Sequence, residues 1–448
     1  MSGSYCVVGG GISGLVAAYR LRRALGDDAA ITVFDPADRL GGILRTERLA
    51  GQPMDVGAEA FIARRPEVSD LLAELGLAAR QIGTTGVSPL IFSGDRLHPL
   101  PTGTLGGIPS SAESMAGLAD ERTVEWMAGE PVRPLNWRPG ADPAVADLVG
   151  DRFGAQVVSR SVDPMLSGVY AGSAATIGLR SAVPTRAGAL DRGAGSLTEA
   201  VRAVLPAGSR GPVFATIDGG YQVLVRALIE AAGPVWRATA VEQVQRDGTD
   251  WVLHDADGAR TRADAVILAL PVGGLARLVA SVAPRTAVAA QRISTASAVV
   301  VALAVPDTTA LPANSGVLVA SGERLHTKAI TLSTRKWGAR GDTELLRLSF
   351  GRFGDTVARD TPDDTLLAWS LRDLADVFGI AVDPVDVHVH RWLDAMPQYG
   401  PGHAEVVAEL RAGLPPGLAV AGNYLDGIGV PACVAAADRA VAELLAPR

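Results

Sequence analysis

Apolar and polar positions along the first eighty residues follow the pattern of alternating strands and helices. Ser4 to Val8 is a short apolar run of strand length, and Leu15 to Leu25 carries apolar side chains at helical spacing with arginines on its polar side. Ala30 to Phe34 is a second strand-like run. A glycine-rich segment separates the first strand from the helix. This order of elements predicts an α/β fold.

The glycine-rich segment has the spacing of a dinucleotide-binding turn. Gly9 allows a tight turn, Gly11 lets the backbone approach a pyrophosphate, and Gly14 lets helix and strand pack closely. The helix N-terminus supplies N–H groups for the phosphates. Asp35 ends the second strand about 20 residues later, at the place of a ribose-binding carboxylate. This acid argues against NADP, but it does not separate NAD from FAD.

Several later segments predict further elements. Met54 to Phe61 predicts a second glycine turn that enters a helix, and Val145 to Asp163 is a helical segment. Ala265 to Leu270 is a continuous apolar run, typical of a buried parallel strand. Strands dominate the region from 293 to 390, namely Ala298 to Val305, Gly316 to Val319, Ala329 to Leu332, Leu345 to Phe350 and Val385 to His390.

Composition narrows the class of protein. A net charge of −7 argues against nucleic-acid binding as a main role. No apolar run approaches the ~18–20 residues of a membrane span, and no secretory signal precedes the first strand. Cys6 and Cys433 are the only cysteines, which favours two buried thiols in a reducing compartment. We therefore expect a cytoplasmic protein with no transmembrane segment, and the histidine spacing predicts no metal.

Two further glycine segments carry a resemblance to a known superfamily. Arg39-Leu40-Gly41-Gly42 follows the second strand, and residues 421–431 contain several glycines before a last helix. Together with the turn at Gly57, these segments resemble the flavin amine oxidase superfamily. The resemblance implies a Rossmann-like domain that binds FAD. Because neither Cys6 nor Cys433 lies in a known flavinylation motif, we expect the FAD to be bound without a covalent link.

Four other segments resemble a narrower family, the protoporphyrinogen and coproporphyrinogen III oxidases. They are Leu97 to Pro101, Asp163 to Gly172, Arg391 to Tyr399 and Gly422 to Tyr424. The resemblance extends from residue 5 to about residue 440, and the bacterial coproporphyrin-forming branch fits it best. Eukaryotic relatives carry an Asn-Arg pair where this chain has Ser88-Pro89, which favours coproporphyrinogen over protoporphyrinogen.

The resemblance also implies the site residues. A valine backbone such as that of Val241 bonds the adenine, and a tryptophan at the position of Trp392 lies beside the flavin. Arg65 is the candidate for a substrate propionate, with Gly168, Tyr170 and Ala171 also lining the substrate site. Lys336 has two interpretations, a surface position or a lysine near the flavin. The full set of cofactor candidates is Gly9, Gly10, Gly11, Ile12, Ser13, Gly14, Asp35, Pro36, Arg39, Gly42, Ile43, Gly57, Ala58, Glu59, Ala60, Val241, Trp392, Gly422, Ile428, Gly429 and Val430.

The same resemblance divides the chain into three regions. Residues 1–82, 212–280 and 391–448 form a discontinuous FAD-binding domain of the amine oxidase type. Residues 83–211 form a helical insert that lines the substrate cavity, and residues 281–390 form a strand-rich substrate domain.

The expected reaction is the oxidation of coproporphyrinogen III to coproporphyrin III in haem biosynthesis. Six electrons leave the porphyrinogen in three turnovers of FAD, with O2 as acceptor and H2O2 as product. Flavin N5 accepts hydride, so no catalytic side chain is assigned. The alternatives are a protoporphyrinogen IX oxidase, another FAD amine oxidase or carotenoid desaturase, and a non-enzymatic porphyrin-binding protein. The oligomeric state and any hand-off of product to a ferrochelatase are left open.

Overall fold

The predicted strand, turn and helix pattern produces a parallel sheet at the centre of the first region. The structure, a computed structural model, describes residues 3–205, 211–338 and 341–446. Ser4–Val8 pairs in parallel with Ala30–Phe34 on one side and with Ala265–Leu268 on the other. The last of these strands is buried throughout, as its continuous apolar sequence predicts. The five strands lie in the order Val235–Arg237, Ala30–Phe34, Ser4–Val8, Ala265–Leu268 and Leu418–Val420.

Helices from both ends of the chain pack together beside this sheet. The first helix, Ile12–Leu25, contacts Gln222–Ala232 and the last helix, Val430–Leu445. Their apolar side chains form one core with the sheet. An antiparallel meander is attached to it, formed by Val241–Asp247, Asp250–Asp255 and Arg260–Ala263. The other helices in the segments of the chain that contribute to this sheet and meander are Pro66–Glu74, Ala78–Arg80, Val272–Leu278, Pro284–Gln291 and His403–Ala412.

Three short groups of paired strands lie outside the central parallel sheet. Thr46–Leu49 and Gln52–Asp55 form a hairpin, and Thr104–Leu105 pairs with Ile108–Pro109. The third group has the order Phe61–Ile62, Phe214–Ile217 and Gln81–Gly83. The turn at Gly57, predicted to enter a helix, is followed first by the short strand Phe61–Ile62. Phe61 pairs with Ala215, and the helix begins at Pro66, whose ring favours the first helical position.

A seven-stranded sheet contains every strand predicted between 293 and 390. All its neighbours are antiparallel except Gly316–Val319 with Leu90–Ser93. The helix Asp363–Phe378 packs on it over an apolar core, and Ser333–Trp337 and Val357–Asp360 are short helices beside it. Two of its strands come from before residue 100, and one extends past residue 390. The order is Asp386–Pro397, Thr295–Pro306, Thr343–Phe350, Ala329–Leu332, Gly316–Val319, Leu90–Ser93 and Arg96–Pro99.

Residues 100–205, which follow the strand Arg96–Pro99, are mainly helical and have their own apolar core. The helical segment predicted from Val145 to Asp163 is helical in the structure, but it is not one continuous helix. It is interrupted at Gly154, whose φ of +97° disfavours a continuous helix, and it then continues to Tyr170. The helices are Glu113–Met115, Glu121–Ala128, Glu130–Val132, Val145–Phe153, Ala155–Val157, Val158–Val162, Asp163–Tyr170, Leu179–Ala182, Pro184–Asp191 and Leu197–Arg202.

Candidate functional site

The first glycine turn leaves an open space at the N-terminus of the helix Ile12–Leu25. Gly9 has a φ of +110°, which favours glycine, and a Cβ on Gly14 would lie 1.9 Å from the Gly9 carbonyl oxygen. Among the described residues no side chain caps the helix, and a Cβ on Gly11 would meet nothing closer than 3.9 Å. The N–H groups around Ile12 and Ser13 therefore face an open cradle that suits a phosphate.

Asp35 lies beside this turn at the carboxyl end of the second strand. Its Oδ2 accepts a hydrogen bond from the Gly10 N–H at 2.6 Å, and its Oδ1 accepts one from Ala37 N–H at 2.9 Å, across Pro36. Each carboxylate oxygen keeps a free lone pair. The carboxylate can therefore hold the turn and still accept a hydroxyl donor, as a ribose would supply.

The second glycine segment packs directly against the first. The Gly41 N–H donates to the Gly10 carbonyl at 2.8 Å, and a Cβ on Gly42 would lie 3.0 Å from the Gly11 Cα. Arg39 donates to the carbonyls of Gly42 at 2.7 Å and of Leu40 and Leu44 at 3.1 Å. Arg39 thus stabilises this turn from within rather than presenting its charge to the open cradle.

The turn at Gly57 is enclosed by three elements. A Cβ on Gly57 would lie 1.7 Å from the Ile43 carbonyl oxygen and 3.1 Å from the Trp392 ring, and the Ala58 N–H donates to the Ile43 carbonyl at 3.2 Å. The Trp392 indole N–H donates to the Val56 carbonyl at 2.8 Å. The predicted residues Ile43, Gly57, Ala58 and Trp392 therefore meet at one place.

Glu59 and Ala60 continue this turn toward the seven-stranded sheet. Glu59 accepts hydrogen bonds from Lys336 Nζ at 2.9 Å and from Trp337 Nε1 at 3.0 Å. Burial alone would raise the pKa of Glu59, but the charges of Lys336 and Arg347 lower it to about 2. Lys336 is thus the partner of a carboxylate rather than a free surface lysine.

Trp392 lies at the end of a row of rings on its strand. The His390 ring is 4.3 Å from the Trp392 ring and 5.9 Å from that of His388. Burial, followed by the charge of Arg45, lowers the pKa of His390 to about 4. His390 is therefore neutral near pH 7 and packs against Trp392 as an uncharged ring.

Aromatic contacts join the predicted substrate segment to the C-terminal glycine segment. The Tyr170 and Tyr399 rings lie 5.5 Å apart, and the Tyr399 hydroxyl donates to the Asn423 carbonyl, next to Gly422. The Gln398 side-chain N–H donates to the Tyr170 carbonyl at 2.8 Å. Three motifs that are distant in sequence thus come together.

The C-terminal segment then turns into the last helix beside the first one. Gly429 is the N-cap of the helix that begins at Val430, and Ile428 packs against the core of the helical region. The Ser13 hydroxyl donates to the Cys433 carbonyl at 3.3 Å. The first glycine turn and the C-terminal glycine segment, both predicted to bind the cofactor, are therefore adjacent.

One side of the substrate segment is open. Gly168 is exposed, and apart from its chain neighbours and its own helix backbone, no described atom lies within 4 Å of the place where its Cβ would be. Val169 is 48% exposed. Ala171 has a φ of +51°, and its carbonyl accepts a hydrogen bond from the Phe353 N–H at 2.6 Å. Gly168 to Ala171 thus combine an open face with a fixed backbone.

The structure does not bring two other candidates to this place. Arg65 is the N-cap of the helix Pro66–Glu74, and its guanidinium pairs with Glu67. No hydrogen bond in the described ranges links Arg65 to the substrate segment. Val241 begins the antiparallel meander, opposite Asp255 and next to a bulge. Both roles stay predictions.

Sequence reasoning missed two basic side chains near the site. Arg347 donates to the Gly57 carbonyl at 2.6 Å and to that of Asp55 at 3.3 Å. The sequence feature that could have identified Arg347 is its place between leucines in the strand Thr343–Phe350. Lys328 is 4% exposed, and its Nζ donates to the Gly351 carbonyl at 2.7 Å. Burial, followed by the charge of Arg352, lowers the pKa of Lys328 to about 7.

The two cysteines are unpaired and buried. Burial raises the pKa of the Cys6 thiol to about 12 and that of Cys433 to about 11. Within the three described ranges, no helix has the length and apolar content needed to cross a membrane. The same ranges contain no group of three or more His, Cys, Asp or Glu side chains that could hold a metal ion.

Known proteins match the chain over almost its whole length. The family model for flavin containing amine oxidoreductases matches residues 12–445. The coproporphyrinogen III oxidase of Mycobacterium tuberculosis (strain H37Rv) is 66% identical, covering 99% of this chain and 97% of the relative. That of Mycobacterium leprae is 63% identical and covers 99% of both.

A solved structure agrees with these matches. The putative protoporphyrinogen oxidase from Exiguobacterium sp. 255-15 is 28% identical, with a TM-score of 0.88 over 98% of each chain. The comparisons confirm the α/β fold with a Rossmann-like domain and the resemblance to porphyrinogen oxidases predicted from the motifs. The chain therefore belongs to the family of flavin-containing amine oxidoreductases, and it is an oxidoreductase enzyme.

Proposed function

We propose that this protein oxidises coproporphyrinogen III to coproporphyrin III in haem biosynthesis. The observation that carries the proposal is the contact of Tyr170 with Tyr399, whose hydroxyl donates to the Asn423 carbonyl. A porphyrinogen ring bound at the open face of Gly168 would therefore lie near residues 421–431, the segment proposed to contact the flavin. The two mycobacterial relatives named coproporphyrinogen III oxidase support this substrate.

The proposed cofactor is FAD rather than a shorter flavin. The open cradle at Gly11, the carboxylate of Asp35 and the strand at Val241 would hold the pyrophosphate, ribose and adenine. Binding without a covalent link is supported by the two buried thiols of Cys6 and Cys433, which burial keeps protonated near pH 7. When bound, the flavin supplies the redox chemistry.

The residues around the site would bind and orient the substrate rather than exchange protons with it. Glu59 is ionised and already accepts donors from Lys336 and Trp337. His390 is neutral near pH 7 and packs against Trp392. No general base is assigned, because a pyrrole N–H beside the oxidised carbon can lose its proton to solvent.

The chemistry of the substrate fixes the expected stoichiometry. Conversion of a porphyrinogen to a porphyrin removes six electrons and six hydrogens. With O2 as the acceptor, each coproporphyrin formed would consume three O2 and release three H2O2, in three cycles of the enzyme.

The test is aerobic turnover with coproporphyrinogen III. Porphyrin fluorescence, oxygen uptake and a peroxidase-coupled dye would be followed together. We expect coproporphyrin III, O2 and H2O2 in the ratio one to three to three. Porphyrin formation no faster than in an enzyme-free sample would refute the proposal. Faster turnover of protoporphyrinogen IX, assayed in parallel, would reassign the substrate and keep the reaction class.

A further inference from the structure

The loop after the strand Thr343–Phe350 places a cation beside the substrate segment. The Phe353 N–H donates to the Ala171 carbonyl at 2.6 Å, which joins the loop to that segment through the backbone. Arg352 immediately precedes Phe353. Its own N–H donates to the side-chain oxygen Oδ2 of Asp355 at 2.7 Å, so hydrogen bonds of the backbone N–H groups of Arg352 and Phe353 fix the conformation of the loop.

The guanidinium of Arg352 is partly buried, and it makes no hydrogen bond or ion pair with any residue in the described part of the chain. Burial lowers the pKa of Arg352, although the charges of Asp355 and Asp163 oppose this shift. Both carboxylates already accept other donors: Asp355 from the Val357 N–H, and Asp163 from the Ala174 N–H and the Ser321 hydroxyl. A partly desolvated cation without a direct partner costs free energy that an anionic ligand would recover.

Four other arginines of these regions are each paired with a carboxylate of the chain. The pairs are Arg65 with Glu67, Arg180 with Asp191, Arg359 with Asp394 and Arg391 with Asp363. Arg352 differs from these four because, within the described ranges, it has no ion-pair partner. It also differs from Arg186, whose guanidinium has no hydrogen-bond partner in the described ranges either, because Arg186 is fully buried while Arg352 is partly exposed to a ligand.

Apolar surface lies next to this charge. Val169 is 48% exposed and lies two residues before Ala171. Phe353 is 37% exposed and follows Arg352 directly. Lys328 donates to the carbonyl of Gly351 in the same loop. The combination of exposed apolar side chains with an adjacent cation suits an apolar macrocycle that carries carboxylates on its rim.

We propose that Arg352 binds a propionate carboxylate of the porphyrinogen, while Val169 and Phe353 contact the apolar ring. The forked donors of arginine match a carboxylate in geometry and charge. This inference rests on the proposed function. It is compatible with a second contact from Arg65, because coproporphyrinogen III carries four propionates.

Binding of the product, coproporphyrin III, tests the role without turnover. Its affinity is compared with that of its tetramethyl ester by porphyrin fluorescence in one dilute detergent buffer. Arg352→Met should weaken binding of the acid by about 10- to 100-fold, the range for a charge-assisted hydrogen bond, and leave the ester unchanged. Arg352→Lys should restore part of the affinity. Arg359→Met removes an exposed arginine on the short helix after this loop, which pairs with Asp394, and it should match the wild type.

Flavin absorbance and thermal unfolding report whether each variant is folded, and Arg352→Gln replaces Arg352→Met if the latter is not. If a folded Arg352→Met or Arg352→Gln variant binds coproporphyrin III as tightly as the wild type does, the inference is overturned and the proposed function stays intact. If the wild type oxidises no porphyrinogen and binds neither coproporphyrin III nor its tetramethyl ester, both the inference and the proposed function are overturned. A parallel rise in KM for coproporphyrinogen III at unchanged kcat would support the carboxylate contact.

Discussion

The ion pair between Glu59 and Lys336 joins the residues after the Gly57 turn to the short helix Ser333–Trp337 beside the seven-stranded sheet, and its loss should be measurable. Lys336→Met would leave the Glu59 carboxylate, only 14% exposed, with Trp337 and Ser333 as its remaining hydrogen-bond donors. A pKa of about 2 instead of 4.5 corresponds to about 3 kcal/mol at about 1.4 kcal/mol for each pKa unit. Because the charge of Arg347 is retained, we expect the variant to lose about 2–3 kcal/mol of unfolding free energy.

Urea unfolding of the flavin-loaded protein at pH 7, followed by circular dichroism and by release of flavin fluorescence, measures this loss. Arg292→Met is the control, because it breaks an exposed pair with Glu409 and should cost at most about 1 kcal/mol. A double-mutant cycle with Glu59→Gln isolates the coupling between the two partners. A loss no larger than that of Arg292→Met, or a cycle without coupling, would refute the reasoning.

The same pair has a defined pH dependence. The pKa of Glu59 is lower in the folded protein than in the unfolded chain, so its stabilisation is fully present above about pH 4.5 and disappears as the pH falls toward 2. The stability difference between the wild type and Lys336→Met should therefore be constant from pH 7 to 5 and shrink in more acidic buffer.

Three further outcomes are expected. Gly57→Ala should yield protein with little flavin, measured by visible absorbance, because its Cβ would lie 1.7 Å from the Ile43 carbonyl; Gly273→Ala, which has open space, should stay loaded. Glu130→Gln should lower the unfolding free energy by about 3–5 kcal/mol in urea titration, because Arg152, 5% exposed, would keep a buried charge without its anion. Acid precipitation should release FAD, identified by chromatography, into the supernatant; flavin retained in the pellet would exclude non-covalent binding.

Local sequence patterns predicted the elements whose ends are marked in the sequence itself. Ser4–Val8 and Ala30–Phe34 form as predicted, because glycine and aspartate bound short apolar runs. Gly316–Val319 and Ala329–Leu332 also match their predicted limits. The strand predicted as Val385 to His390 instead extends over Asp386–Pro397, since pairing with a long partner strand outweighs its polar residues.

Contacts between distant segments were beyond this kind of reasoning. The parallel pairing of Leu90–Ser93 with Gly316–Val319 joins residues more than two hundred positions apart, and no local pattern encodes it. The glycine turns were found because their spacing has a backbone cause. Arg352 was not found, because what distinguishes it is that no described residue pairs with its guanidinium, and only coordinates show this.

The central claim is that a porphyrinogen reduces the enzyme-bound flavin, and anaerobic mixing tests it most directly. Oxidised enzyme is mixed with coproporphyrinogen III or with protoporphyrinogen IX without O2, and the visible band of the flavin is followed over time. We predict bleaching by both, with a higher kcat/KM for coproporphyrinogen III in the matched steady-state assay. No bleaching by either porphyrinogen, together with bleaching by a polyamine, would contradict the account.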